Sequence, residues 1–138
     1  MSNLNRSTIG DIVTRSARRA PTSHAISFED RSWTYREFDD AVTRVADSLL
    51  GLGLVKGDRV AAFGKNSDAY VLLWLGVARA GLIHVPVNFA LTDAELNYIL
   101  TQSGARAVFA DEALQEEVDR CGAAPEITGS IRSESGER

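Results

Sequence analysis

RVAAFGKNSDAYVLLWLGVARAGLIHVPV, the stretch from Arg59 to Val87, reads as strand, helix, strand, and that succession decides the fold. Arg59 to Phe63 is a short apolar run of strand length. Ser67 stands where a helix N-cap is wanted, because its hydroxyl can accept a hydrogen bond from one of the first free amides. Val71, Leu72, Trp74, Leu75, Val77 and Ala78 leave the following helix little polar surface, so it is expected to be enclosed on most sides. Ala80-Gly81 closes it, and Leu82 to Val87 returns as a second strand. Pro86 lacks an amide donor and therefore belongs near a strand end or at an edge.

The same rhythm continues downstream. Thr92 and Glu95 form a capping-box pattern, with Leu91 and Leu96 placed as its hydrophobic staple. The helix they start turns Leu96, Ile99 and Leu100 inward and ends near Ser103-Gly104. Ala105 to Ala110 is a third short strand, and Asp111 is expected to cap a last helix reaching about Arg120. Beyond Cys121 the pattern changes to Pro125, two further glycines and several Ser and Glu residues, with only Ile127 and Ile131 as large aliphatics. Residues 1–121 are thus expected to form a partial domain and 122–138 a flexible, unpacked tail.

Upstream, Thr34 and Glu37 form another capping box, stapled by Trp33 and Phe38. Phe38, Ala41, Val42, Val45, Ala46, Leu49 and Leu50 line one side of the predicted helix, which Gly51 or Gly53 stops. Ala25 to Phe28 and Ser32 to Thr34 flank the polar break Glu29-Asp30-Arg31 and predict a hairpin. Before it, Ile9, Ile12, Val13, Ala17 and Ala20 recur at helical spacing, with Ser7 or Thr8 as caps and Pro21 as the stop. Three strand-then-helix units predict an α/β class: a partial Rossmann-like layered domain of parallel strands alternating with helices.

Composition narrows the function classes. At 138 residues, 44% hydrophobic and 25% charged, the chain matches one ordinary globular domain. A net charge of -4 with scattered Lys and Arg offers no basic field for nucleic acid. The longest apolar run, Ala69 to Ala78, is half the roughly 20 residues a membrane-spanning helix needs. The lone Cys121 cannot form an intramolecular disulfide, and polar residues follow Met1, so a cytoplasmic location is expected.

Candidate chemistry reduces to structure at each position. Gly51, Gly53 and Gly57 have the wrong spacing and the wrong order of helix and strand for a dinucleotide fingerprint. Gly64-Lys65-Asn66-Ser67 follows a strand and precedes a helix, but a Walker loop would need glycine where Arg59 stands. A helix start at Ser67 can attract an anion, against which simple capping is the favoured reading. His24 and His84 lack companions at metal-ligand spacing, and His84 is expected to pack within its strand. Cys121 carries no activated-thiolate motif, and Glu37, Asp39 and Asp40 read as a solvated helix face on which Asp40 can pair with Arg44. No catalytic, cofactor-binding or metal residue is assigned.

The order of the pieces carries a resemblance. Thr34-Tyr35-Arg36-Glu37-Phe38, then Gly51 through Ala61, Asn66-Ser67, Leu75-Gly76-Val77-Ala78-Arg79-Ala80-Gly81, Val85-Pro86-Val87-Asn88 and Glu95-Leu96 with Ile99-Leu100 together resemble the opening of the adenylate-forming (AMP-binding) enzymes. The similarity is greatest to bacterial acyl-CoA synthetases, the fatty-acid CoA ligases, and spans about Thr8 to Asp111; Leu82 after Gly81 and His84 are small departures. The resemblance implies ATP-dependent activation of a carboxylic acid as an acyl-adenylate, followed by thioester formation with CoA, using ATP, Mg and CoA. It also implies a Ser/Thr/Gly-rich loop ending in Pro-Lys-Gly, an acidic ribose ligand, a magnesium-associated glutamate and a C-terminal lysine, none of which maps onto these residues. The expectation is a truncated acid-CoA ligase fragment, inactive alone and binding no cofactor itself. Its expected partners are the remainder of a synthetase or a second copy, since an unfinished sheet exposes edges and apolar surface. A small independent ligand-binding α/β protein is the other reading.

Overall fold

A computed structural model describes residues 9–28, 31–64, 67–88, 90–123 and 125–131. Helix α1 (Ile9–Arg19) leads into strands β1 (His24–Phe28) and β2 (Arg31–Thr34), which pair antiparallel as the expected hairpin. The Ser7 and Thr8 caps and the turn residues Glu29 and Asp30 lie outside the described residues. Helix α2 (Tyr35–Gly51) follows, then β3 (Arg59–Phe63), α3 (Asp68–Arg79), β4 (Ile83–Val87), α4 (Asp93–Ser103) and β5 (Ala107–Asp111). A 3-10 turn (Glu112–Leu114), a short helix α5 (Gln115–Arg120) and β6 (Ile127–Ile131) complete the order.

Strands β3 to β6 form one parallel sheet in the order β4-β3-β5-β6. Alternate residues of β3 and β5 serve opposite faces. Val60, Ala62, Ala107 and Phe109 pack with α2 and α3, through Val42, Leu49, Leu72 and Leu73. Ala61, Phe63, Val108 and Ala110 pack with α4 and α5, through Leu96, Leu100 and Val118. Helices on both faces make the layered α/β arrangement that the alternating pattern predicts.

The helix starts follow from short-range chemistry. Thr34 Oγ1 accepts from the Glu37 amide (3.2 Å) while Glu37 Oε1 accepts from the Thr34 amide (2.9 Å), and Thr92 and Glu95 repeat both bonds. The Trp33 and Phe38 rings meet edge-on at 5.9 Å, as the staple requires. Helix α2 stops through Leu52, after which Gly53 takes φ of 99°. At Gly76 of α3 a Cβ would run into Val45 of α2, so that glycine lets the two helices close together.

Four expectations are corrected. The segment after Cys121 is not all tail: Ile127–Ile131 is the fourth parallel strand, with Ile131 buried. Its apolar content was too sparse to read because one buried isoleucine and a glycine suffice for a strand lying on β5. Gly129 fits there because a Cβ would lie 2.6 Å from the Phe109 ring. Asp111 makes no side-chain cap, since the chain enters α5 through a 3-10 turn. Leu50 is exposed rather than part of the buried stripe, and Trp74 of the supposedly enclosed helix reaches solvent.

Candidate functional site

In a layered parallel sheet, ligands bind beyond the carboxyl ends of the strands where the chain departs to opposite faces. Here β3 leads to α3 on one face and β5 leads to α5 on the other, so the crevice lies between their ends. Its described residues are Gly64, Ser67 and Asp111, with Asp68 directly after the cap. Gly64 lies against the Asp111 carboxylate: a Cβ would come within 2.8 Å of Oδ1. Ser67 Oγ accepts from the Tyr70 amide at 3.1 Å, the expected cap.

Asp68, the first residue of α3, was not singled out by the sequence, yet it is 0% exposed. Arg31 of the hairpin grips it with Nε at 2.8 Å and Nη2 at 3.1 Å, Trp33 Nε1 donates at 3.2 Å, and the Ala69 amide donates at 2.8 Å. Burial by itself would raise its pKa, but the bonds from Arg31 and Trp33, the Arg31 charge and the Ala69 amide hold the carboxyl below the usual range. A carboxylate fixed at the helix N-terminus complements its dipole, and Ser67 Oγ already takes the Tyr70 amide. Ser67 is therefore a cap, and the anion reading of this turn is set aside. The signal that could have found Asp68 was an acidic residue directly after a capping serine, facing a hairpin that alternates Arg31 and Trp33.

Beside the crevice, the Tyr70 hydroxyl and His84 Nε2 lie 3.4 Å apart, with the rings edge-on at 6.0 Å and Trp74 at 6.4 Å from the imidazole. Burial lowers the His84 pKa; burial, then the Asp111 charge, raises that of Tyr70. His84 thus packs from its strand onto α3 as a neutral ring.

The remaining candidates are structural. Asp39 is no solvated carboxylate: Arg79 Nη2 donates to it at 2.8 Å and Thr14 Oγ1 at 2.8 Å, tying α1, α2 and α3 together. Glu37 completes its capping box, and Asp40 is exposed. His24 hydrogen-bonds Ser27 on the hairpin surface, and buried Cys121 donates its thiol to the Val118 carbonyl. Gly51, Gly53 and Gly57 lie in the helix stop and the turn before β3. Asp58 accepts from the Val55 amide and from Arg106, which together hold its carboxyl below the usual range. Among the described residues no three His, Cys, Asp or Glu side chains are grouped to hold a metal. No described helix is long and apolar enough to cross a membrane.

An open apolar hollow of about 390 Å³ lies on α4, lined by Leu91, Ala94, Glu95, Tyr98 and Ile99. Tyr98 is 65% exposed there.

The family described as AMP-binding enzyme matches residues 13–137. The chain is 38% identical over 112 residues to the fatty acid–[acyl-carrier-protein] ligase ScoC of Streptomyces coeruleorubidus, covering 81% of this chain and 22% of that protein. It is 39% identical over 107 residues to the human mitochondrial medium-chain acyl-CoA ligase ACSF2, covering 76% and 17%. Among solved structures, the N-terminal domain of FACL13 from Mycobacterium tuberculosis superposes with a TM-score of 0.82 at 31% identity, covering 91% of this chain and 33% of that one. A Mycobacterium tuberculosis fatty acyl CoA synthetase gives a TM-score of 0.85 at 29% identity, covering 98% and 28%. The chain thus spans about a fifth of the length of the curated relatives named here.

Proposed function

The chain belongs to the AMP-binding enzyme family, and on that premise we propose that it supplies the opening α/β layer of an ATP-dependent acid-CoA ligase rather than its catalytic machinery. The observation that carries this reading is the state of the carboxyl-end crevice. Where a layered sheet would receive a phosphate, the described residues place the Asp111 carboxylate against Gly64 and close the helix start with the Ser67 cap. Among the described residues, a carboxylate and a capped helix start do not supply the free amides and cations that a triphosphate needs. The described residues therefore shape and support a nucleotide-binding domain, and no step of adenylation runs through them.

In the whole enzyme the reaction is activation of a carboxylic acid by ATP, with release of pyrophosphate and transfer of the acyl group to CoA. The fatty-acid and medium-chain acyl-CoA ligases among its relatives favour a fatty acid as the substrate. ATP, Mg and CoA are held by other segments, and this chain alone is inactive. A second reading, a module that complements a separately encoded remainder, is favoured by the apolar hollow on α4 with its exposed Tyr98.

A chimera tests the first reading. This chain replaces the matching segment of the Mycobacterium tuberculosis fatty acyl CoA synthetase, and fatty-acid-dependent ATP–pyrophosphate exchange is measured. Exchange by the chimera and none by the isolated chain is expected. Acyl-adenylate formed by the purified chain alone, or a folded chimera without exchange, overturns it.

A further inference from the structure

Arginines scattered along the sequence fall into two sets in the folded chain. Arg31, Arg79, Arg106 and Arg120 pair with Asp68, Asp39, Asp58 and Asp93, and Arg59 donates to the Ser103 carbonyl. Arg15, Arg18 and Arg19 of α1, with Arg36 and Arg44 of α2, are exposed and donate to no acceptor among the described residues. On α2 the exposed Asp40 and Asp47 stand among the cations and compensate them. Past Asp11, α1 carries no carboxylate. Arg15, Arg18 and Arg19 follow one another at i, i+3 and i+4, which sets three guanidinium groups on one side of that helix. The start of α2 brings Arg36 beside their end, because its amide donates to the Pro21 carbonyl at 3.0 Å. Arg18 and Arg19 lie in the last turn and suit its dipole, but Arg15 lies a turn earlier, and like charges at this spacing disfavour the helix. Helix formation does not explain the row.

We infer that the arginine row of α1 is a docking surface for an acidic helix of a partner protein, one that carries carboxylates at the same i, i+3, i+4 spacing. This goes beyond the ligase reading and does not depend on it. Charge and shape choose the occupant. The row spans about 6 Å along the axis, which is the rise between carboxylates four positions apart on a facing helix. Each guanidinium can donate two parallel hydrogen bonds to one carboxylate, and all three cations of the row are Arg rather than Lys. A bilayer is disfavoured because the apolar side of α1 is already used: Val13 packs onto the buried cluster of α2 and α3, and Thr14 bonds Asp39 and Arg79. An interfacial helix needs that side free for the acyl boundary, and three cations alone adsorb only weakly. Nucleic acid is disfavoured by the net charge of -4 and by the lack of any aromatic side chain on α1.

The test titrates the full chain with a helical peptide carrying glutamates at i, i+3, i+4 and i+7, and with an isomer whose glutamates are spread around the helix, at about 150 mM salt. Saturable binding of the aligned peptide, about tenfold or more tighter than of the isomer, is expected. The triple variant Arg15→Gln, Arg18→Gln, Arg19→Gln is expected to weaken it about tenfold or more. Changing the same three residues to Lys is expected to weaken it about threefold or more, since the charge stays but the fork is lost. Arg44→Gln, on the compensated helix, is expected to change it by less than about twofold. All of these side chains are exposed and without described bonds, so thermal melts of the variants should match the parent. Equal binding of the two peptides, indifference to the Lys variant, or no binding overturns the inference. Tighter binding through the same arginines to vesicles of phosphatidylcholine and phosphatidylserine at about 7:3, or to a single-stranded oligonucleotide, overturns the choice of occupant. None of these outcomes bears on the ligase reading, which the chimera decides.

Discussion

On one face of the sheet, helices of 17 and 12 residues lie over Val60, Ala62, Ala107 and Phe109, and the hairpin is pinned beside them by a fully buried carboxylate. On the other face, helices of 11 and 6 residues cover Ala61, Phe63, Val108 and Ala110, and the longer of them carries an open hollow with Tyr98 on its rim. Both faces begin a helix with the same reciprocal capping box, so local helix formation is not what separates them. The difference lies in what covers the helices. The first face is finished by the chain's own hairpin and α1; on the second, no described element covers the hollow on α4, where Tyr98 stays exposed.

The largest effect should come from breaking the closure of the first face. Asp68→Ala removes the carboxylate that Arg31 and Trp33 share and unties these bonds between the hairpin and α3. Breaking a buried pair on one side costs about 3–5 kcal/mol, and the partly exposed Arg31 places this one near the low end. Urea unfolding measures it as a drop in midpoint without a large change in slope. Its pH dependence has a definite sign. The folded carboxyl sits below the unfolded value of about 3.9, so its contribution is complete above that pH and is lost as pH falls through the folded value. A variant as stable as the parent at neutral pH would mean that the first face is not held by this pair.

What the sequence made legible follows the same division. Periodicity and caps lie within a few residues of one another, so α2, α3, α4 and strands β3 to β5 could be read from spacing alone, as could Pro86 at an edge. Asp68 could not, because its meaning depends on Arg31, 37 positions away, and only the folded chain brings the guanidinium to the helix start. Asp39 was misread for the same reason: on its own helix it belongs to a polar face, but Arg79 arrives from 40 residues on. β6 was missed because a strand resting on an existing sheet needs little apolar content of its own. The crevice was legible only as an absence of phosphate-loop residues; that a carboxylate lies at it required the packing of Asp111 on Gly64.

A paired truncation sharpens the comparison. Leu72 is enclosed between α2, α3 and the sheet, whereas Leu100 lies under α4 beside the more open side. Within the range of about 2–5 kcal/mol for such changes, Leu72→Ala should fall near 4 and Leu100→Ala near 2, because looser surroundings collapse more readily into the gap. The two residues belong to separate buried clusters, so the double variant should add to within about 0.5 kcal/mol. Equal costs, or strong coupling in unfolding titrations, would show one continuous core and remove the distinction.

The smallest effect concerns His84, at the rim where the finished face meets the β4 edge. Burial lowers its pKa, so the unfolded chain takes up a proton below about 6.5 while the folded chain still resists it. More protons on the unfolded side means that stability falls as pH drops from neutral through that window, and levels off below the folded value. His84→Gln should flatten this slope between about pH 7.5 and 5.5, a range well clear of the Asp68 titration. An unchanged slope would show that the imidazole is solvated in the folded chain. Trp74, exposed and 6.4 Å from the imidazole, lies beside it on the same face, so any protein that covers Trp74 would also remove water from His84.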